Sequence, residues 1–345
     1  MTKLAEIHVE NALAPRFGRG WHCLGDADEY RDGKLHTLNV FGTRLLAFAT
    51  SKGEISVLDA HCPHMGADLS QGTIENDRVV CAFHHWQYDA SGKCVEIPYC
   101  KRIPPKAKTR AWQTCEVNKL LFVWNNPEGK PPADDVVIPH LPEIDSDEWL
   151  HSWHMDKLII NTNPRELVDN LVDAQHFGPV HGTPTKYFHN IFEGHIAHQI
   201  FHGDSERLGG DLVAESAYFG PATHFTRMSA MFDGMEIKSI LLNCHIPIGP
   251  NSFELRFGCM VKKVPGWTDE QNEALAIDYV QRNRDSFYQD VDIWTHKIRI
   301  NNPVLAEGDG PVYQLREWYQ QFFTDEASVP ASMAERREIT TVDNR

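Results

Sequence analysis

Apolar residues between Trp21 and Trp124 come in short runs, at 35–40, 45–49, 55–58, 79–82 and 120–124, separated by Ser51-Lys52-Gly53 and Glu75-Asn76-Asp77. Short apolar runs closed by Gly, Asn, Asp and Ser read as strands joined by turns. The first third of the chain therefore predicts a small all-β domain. At 125–132 the sequence NNPEGKPP breaks every periodicity, which predicts a linker. Longer strand-like runs follow near 152–160, 212–219, 224–232, 237–245 and 253–261, with helical patterns on either side. From about 269 to 298 a helix is predicted, because Val280, Phe287, Val291, Trp294 and Ile298 recur at helical spacing. The class is α+β: an all-β domain over 17–128, a domain over 140–325 with an antiparallel sheet flanked by helices, and a C-terminal tail over 326–345.

A chain of 345 residues is long enough for two such domains. Its formal charge of −15 argues against nucleic acid or an anionic membrane surface as partner. No apolar run approaches the roughly 18 residues of a membrane span, and the N-terminal stretch lacks the apolar core of a signal peptide. A soluble, cytoplasmic protein is expected. Of the eight cysteines, Cys23, Cys94, Cys100, Cys115, Cys244 and Cys259 are scattered without secretory context and are expected as reduced thiols.

The other two belong to a motif: Cys62-Pro63-His64, sixteen intervening residues, then Cys81-Ala82-Phe83-His84. Each half offers one thiolate and one imidazole. A Rieske centre needs that division, since two Cys hold one iron of its [2Fe-2S] cluster and two neutral His hold the other. Structural zinc also takes Cys2His2 sets, but draws on C-x2–4-C and H-x3–5-H pairs. The mixed pairs favour the two-iron reading and an electron relay.

A second constellation runs from Asp169 to His181, with Asp173 and His176 between them. On a helix Asp169, Asp173 and His176 share one face, and Gly178-Pro179 is expected to end that helix so that His181 folds back toward His176. Two imidazoles and a carboxylate form the facial triad of a non-haem Fe(II) oxygenase. On the helix near the C-terminus, Asp290 lies roughly 70° from the centre of the apolar stripe and Asp292 roughly 130° from it. Asp290 is therefore the candidate third ligand, against the plainer reading of a boundary carboxylate. Phe287 and Trp294 flank it on one face, and Leu171 precedes His176 by five positions; these three either floor a pocket beside the iron or fill the core. A further histidine run, His189, His195, His198 and His202, lacks acidic residues at matching offsets and reads as solvated or core histidines.

Taken together, C-x-H, spacer, C-x2-H and the later D-x3-D-x2-H-x4-H resemble the oxygenase components of Rieske non-haem iron oxygenases over nearly the whole chain. One departure is His85, where the family commonly has Gly. The stretches 92–99, 288–294 and 306–311, the last preceding Trp318-Tyr319, are similar to members acting on 3-ketosteroids. The resemblance implies a helix-grip catalytic domain and a Rieske cluster on Cys62, His64, Cys81 and His84. It also implies a mononuclear Fe(II) on His176, His181 and Asp290, with O2 as co-substrate. Electrons would come from NADH through a separate ferredoxin-type reductase, and a 3-ketosteroid would be hydroxylated at C9 in steroid degradation. A homotrimer is implied, in which Asp173 connects His176 to the cluster ligand His84 of a neighbour. By the same resemblance Gln199, Tyr218 and Asn243 line the steroid pocket and hydrogen-bond a ketone. Two rivals stay open: an oxygenase acting on another sterol, bile acid or aromatic ring, and a pure Rieske electron carrier, which would hold two irons instead of three.

Overall fold

The computed structural model describes residues 16–205, 210–232 and 234–345. From the N-terminus run β1 (Gly20–Asp26), β2 (His36–Val40), β3 (Thr43–Ala49) and β4 (Ile55–Asp59). Then come β5 (Thr73–Glu75), β6 (Arg78–Val80), β7 (Gln87–Tyr88) and β8 (Cys94–Glu96), followed by β9 (Ala111–Trp112), β10 (Thr114–Val117) and β11 (Leu120–Asn125). They form three antiparallel sheets, ordered β2-β3-β4-β9, β5-β6-β7-β8 and β1-β11-β10. The all-β first half expected from the short apolar runs is present.

The second half is built on one eight-stranded antiparallel sheet. Its strands are β12 (Met155–Ile160), β13 (Thr185–Glu193), β14 (Ile196–Ser205), β15 (Gly210–Phe219), β16 (Thr223–Phe232), β17 (Met235–Gly249), β18 (Ser252–Val261) and β19 (Arg337–Asp343). Their order is β12-β18-β17-β16-β15-β14-β13-β19. Helices α1 (Arg165–Asp169), α2 (Phe177–His181), α3 (Asp269–His296) and α4 (Val312–Gln320) pack around it. A capping box between Thr268 and Gln271 starts α3 by satisfying backbone N–H groups that have no partner in the helix. Val280 and Trp294 then bury against Phe253, Leu255 and Phe257 of β18. Ile298 lies beyond the helix end and is exposed, so the apolar stripe ends at Trp294, one position of the five short.

Three expectations are corrected here. Residues 185–205, outside every strand-like run of the sequence, carry β13 and β14, so that His189, His195, His198 and His202 lie on or between two strands. Along β14 burial alternates strictly, Ala197, Gln199 and Phe201 inward against His198, Ile200 and His202 outward. Histidine sits on either side of the polar boundary and masks that two-residue period. Residues 326–345, expected as a tail, supply β19, which pairs with β13 from Tyr187↔Asp343 to Phe192↔Arg337. The strand covers the exposed backbone of an otherwise open sheet edge. The proline-rich break at 126–132 is no free tether either. Asn126 Nδ2 donates to Glu326 Oε1 (2.9 Å) and Lys130 Nζ pairs with Glu326 Oε2 (3.1 Å). The two halves share a core in which Trp21, Phe122 and Trp124 meet Ile240, Leu242 and Met260.

Asp169 serves this scaffold. Its Oδ2 accepts from Arg299 Nη1 (3.0 Å) and Arg316 Nη2 (2.7 Å), while Glu166 accepts from Arg299 (3.2 Å). These groups are largely buried, and removing one member of a buried ion network leaves uncompensated charge. Asp169→Ala is expected to lose about 3 kcal/mol of stability, read as a lowered denaturant midpoint of the holoprotein with iron content unchanged.

Candidate metal centres and substrate cavity

Each cysteine–histidine pair sits on a loop leaving a strand, the first after β4 and the second after β6. Backbone bonds close both loops: Cys62 N to Ala67 O (2.8 Å) and Gly66 N to Cys62 O (2.8 Å), then Cys81 N to Trp86 O (2.9 Å) and His85 N to Cys81 O (3.0 Å). They bring the rings of His64 and His84 to 4.5 Å between centroids. Cys62 and Cys81 lie buried in one core, and the Tyr88 hydroxyl is 3.1 Å from Cys62 Sγ. Burial pushes the Cys62 thiol up, against the hydrogen bond from Tyr88.

Two observations test what these residues could hold. His64 Nδ1 is buried without a hydrogen-bond partner, as a ligand atom must be before a metal arrives. A tetrahedral zinc would gather its donors to within about 4 Å of one another. Among the described residues, His176, His181 and Asp290 are the one set of three or more such side chains whose donor atoms all lie within 4.8 Å of one another. The first four donors are therefore spread wider than one ion spans, which fits a two-iron cluster.

The His176–His181–Asp290 corner is assembled from separate elements. The predicted single helix is two: α1 ends at Asp169, turns cover 170–173, and His176 caps α2. Gly178 and Pro179 open α2 instead of closing a helix, since a proline in the first turn loses an N–H that has no partner in the helix anyway. Gly182, at φ 65°, ends α2 just after His181. The two rings stand 5.2 Å apart, and His181 Nε2 lies 3.2 Å from Asp290 Oδ2. Asp290 is 6% exposed, whereas Asp292 faces solvent.

Hydrogen bonds on the far side of each ring select the tautomer. His176 Nδ1 donates to the Asp173 backbone carbonyl (2.7 Å), and His181 Nδ1 lies 3.3 Å from both Gln289 Oε1 and Ser286 Oγ. Both Nε2 atoms are left as acceptors toward the shared point. Gln289 and Ser286 escaped the sequence reading; their signal was position, one residue and one turn from Asp290 on α3. The carboxylate of Asp173 is half-exposed and stands 3.7 Å from His176 Nδ1. It caps the backbone N–H groups of Gln175 and His176, at 3.2 Å each. Burial opposes its charge, yet the bonds from His176 and Gln175 hold its carboxyl below the usual carboxylate range.

A cavity enclosing about 210 Å³ of open space touches all three residues of the corner. Leu171, Gln199, Tyr218, Asn243 and Phe287 line it. Trp294 does not: it is 3% exposed and fills the core beyond, its ring edge against Phe287 at 5.4 Å. The helical stripe runs past the end of the cavity, so its last aromatic packs on the sheet.

The cavity wall is one face of the sheet, and its polarity comes in rows. Tyr218 pairs across strands with His224, and Gln199 with Ser216, which pairs with Thr226. Next comes Phe201, Ala214 and Met228. Tyr218 stacks on His224 at 4.3 Å. The Tyr218 hydroxyl, both ring nitrogens of His224 and Asn243 Oδ1 are out of water with no hydrogen-bond partner among the described residues. Desolvation lowers the His224 pKa to about 3, so it faces the cavity uncharged. Unpaired buried polar groups cost stability, and the two donors of this row, the Tyr218 hydroxyl and the one N–H of neutral His224, suit a ligand oxygen. His224 was missed in the sequence because strand register alone places it beside Tyr218.

A Rieske-type cysteine–histidine pair of loops joined to a sheet that carries a two-histidine, one-carboxylate corner is the architecture of a Rieske non-haem iron oxygenase. Residues 20–113 match the Rieske [2Fe-2S] domain and residues 123–323 the 3-ketosteroid 9alpha-hydroxylase C-terminal domain. A 3-ketosteroid-9-alpha-monooxygenase oxygenase component of Rhodococcus rhodochrous is 45% identical over 96% of this chain and 88% of its own. That of Mycobacterium tuberculosis is 45% identical over 95% and 87%. Among solved structures, dicamba monooxygenase bound to 3,6-dichlorosalicylic acid superposes with a TM-score of 0.71 at 19% identity, covering 91% of this chain and 99% of that one. The chain belongs to the family of 3-ketosteroid-9-alpha-monooxygenase oxygenase components.

Proposed function

We propose that the chain is the oxygenase component of a monooxygenase that hydroxylates a 3-ketosteroid at C9, with electrons passed from NADH by a separate reductase. The observation that carries this reading is the cavity, apolar over most of its wall, touching His176, His181 and Asp290 and closing on the unpaired Tyr218–His224 row. Cys62, His64, Cys81 and His84 would hold the [2Fe-2S] cluster, and His176, His181 and Asp290 the mononuclear iron. When bound, these groups supply single electrons and a coordination site at which dioxygen is reduced. The residues around them do the rest. Asp173 O and Gln289 orient the two imidazoles, Leu171 and Phe287 keep water from the reacting carbon, and the polar row fixes one end of the steroid. Residues 17–128 form the electron-carrying half and the residues from 140 onward, with β19 at the sheet edge, the oxygen-activating half, in a homotrimer where Asp173 of one subunit meets His84 of the next. A cytoplasmic setting agrees with the other six cysteines being scattered along the sequence without secretory context. No helix among the described residues is long and apolar enough to cross a membrane.

The test is turnover of a panel of 3-ketosteroids under isotopically labelled dioxygen, with reductase and NADH. One labelled oxygen at C9 is the expected product; no product from any member of the panel would remove the steroid assignment. Tyr218→Phe and His224→Phe are each expected to raise KM roughly 10-fold through the lost hydrogen bond, with a smaller effect on kcat. Steady-state kinetics on the preferred steroid reads both values.

A further inference from the structure

The chain carries an excess of acid, yet between Glu96 and Glu116 there is no acidic residue at all. That interval holds Lys101, Arg102, Lys106, Lys108 and Arg110, every one of them exposed. Across an isolated β-bridge Lys93, also exposed, stands directly opposite Lys108. Like charges placed opposite each other destabilise a ladder. None of the six makes an ion pair among the described residues; the nearest acid in sequence, Glu96, is engaged by Arg78 at 3.0 Å. A solvated face in an acidic protein would be expected to intersperse signs, as the surface ion pairs elsewhere on this chain do.

The strap is fastened to the cluster loops. Its apolar residues Ile103 and Ala107 pack into the same core as Cys62 and Cys81. At its start Tyr99, 63% exposed, accepts a hydrogen bond from Trp86 Nε1 at 2.8 Å. Trp86 in turn stacks on His64, with centroids 4.5 Å apart and planes 8° from parallel. A line of contacts thus runs from the basic strap to a cluster ligand.

We propose that residues 93–110 are the docking surface for an acidic, [2Fe-2S]-bearing electron donor, with entry at Tyr99, Trp86 and His64. The proposal rests on the oxygenase reading above. In the docked pair one electron leaves the reduced donor cluster, which is oxidised by one. It enters the cluster of this chain, which is reduced by one, and no atom or proton is exchanged. The step runs downhill, since plant-type ferredoxin clusters lie near about −400 mV and Rieske centres at roughly −150 to +300 mV. Opposed charge steers such encounters and raises their rate by roughly 10- to 1,000-fold, a gain that salt removes.

The experiment uses an acidic plant-type [2Fe-2S] ferredoxin as probe and K106E/K108E holoprotein, with K106Q/K108Q as a milder pair. Calorimetry measures binding of oxidised ferredoxin, and stopped-flow absorbance measures reduction by the reduced form at several ionic strengths. The expected result is at least about a 10-fold loss of affinity and second-order rate at low salt. Reduction by dithionite, the Rieske EPR signal and hydrodynamic size should match wild type. An unchanged rate in both variants would overturn the proposal. A changed hydrodynamic size would do so too, by making the strap a contact between copies, as would salt-sensitive DNA binding with electron transfer intact. Absence of a Rieske signal in wild-type protein would instead mark failure of the oxygenase reading itself.

Discussion

Asp290→Ala protein is expected to purify with two irons per chain instead of three and to hydroxylate no steroid, while its reduced Rieske EPR signal stays at full intensity. Asp290 closes the corner: its Oδ2 lies 3.2 Å from His181 Nε2, and the side chain is buried where no exposed neighbour can replace it. Alanine leaves only the two imidazoles at either end of the short helix α2, and two ligands hold a divalent ion far more weakly than three. Partners that only orient a ligand already cost 10- to 100-fold when removed, so losing the ligand itself should exceed about 100-fold in turnover. Asp292→Ala is the matched control, two residues away and in solvent. If the two variants bound equal iron, the third ligand would lie elsewhere.

The second large effect concerns Asp173. Asp173→Ala removes the carboxylate but keeps the backbone carbonyl that accepts from His176 Nδ1 at 2.7 Å. The imidazole therefore stays oriented, and three irons per chain are expected. What should fall, by about 100-fold or more, is steroid-dependent reoxidation of the cluster in a single turnover, because the proposed route to the neighbouring His84 has lost its middle group. Wild-type reoxidation in this variant would end the connecting role assigned to it.

Both candidate donor sets were readable in the sequence because metal ligation demands particular residue types at short spacing. Cys62-x-His64 and Cys81-x2-His84 each fit within one loop, and His176 and His181 lie within one turn-and-helix segment. Asp290 was reachable only because α3 is long and regular enough for its face to be computed. The cavity wall was less legible. Tyr218, His224 and Asn243 are neighbours through strand register, a long-range property, so chain distance carries no trace of it. Trp294 illustrates the opposite error: a correct helical face says nothing about where along that face a cavity ends. The helix boundary at Gly178-Pro179 failed because the same dipeptide suits a first turn as well as a last one, and α1 had already stopped at Asp169. The β13–β14 pair was hidden by histidines that belong to neither the polar nor the apolar alphabet.

For a steroid bound as proposed, the rows of the cavity wall would also act as a graduated scale. Successive same-face positions on a strand are about 6.8 Å apart, so the row at Tyr218 and His224, the row at Ser216 and Thr226, and the row at Ala214 and Met228 would mark off fixed distances along that steroid. The carbon that meets the iron is then whichever one lies the right number of divisions from the anchored oxygen. Relocating the anchor by one division would slide a rigid tetracycle by more than one ring, and so rewrite which position is oxidised without touching a metal ligand.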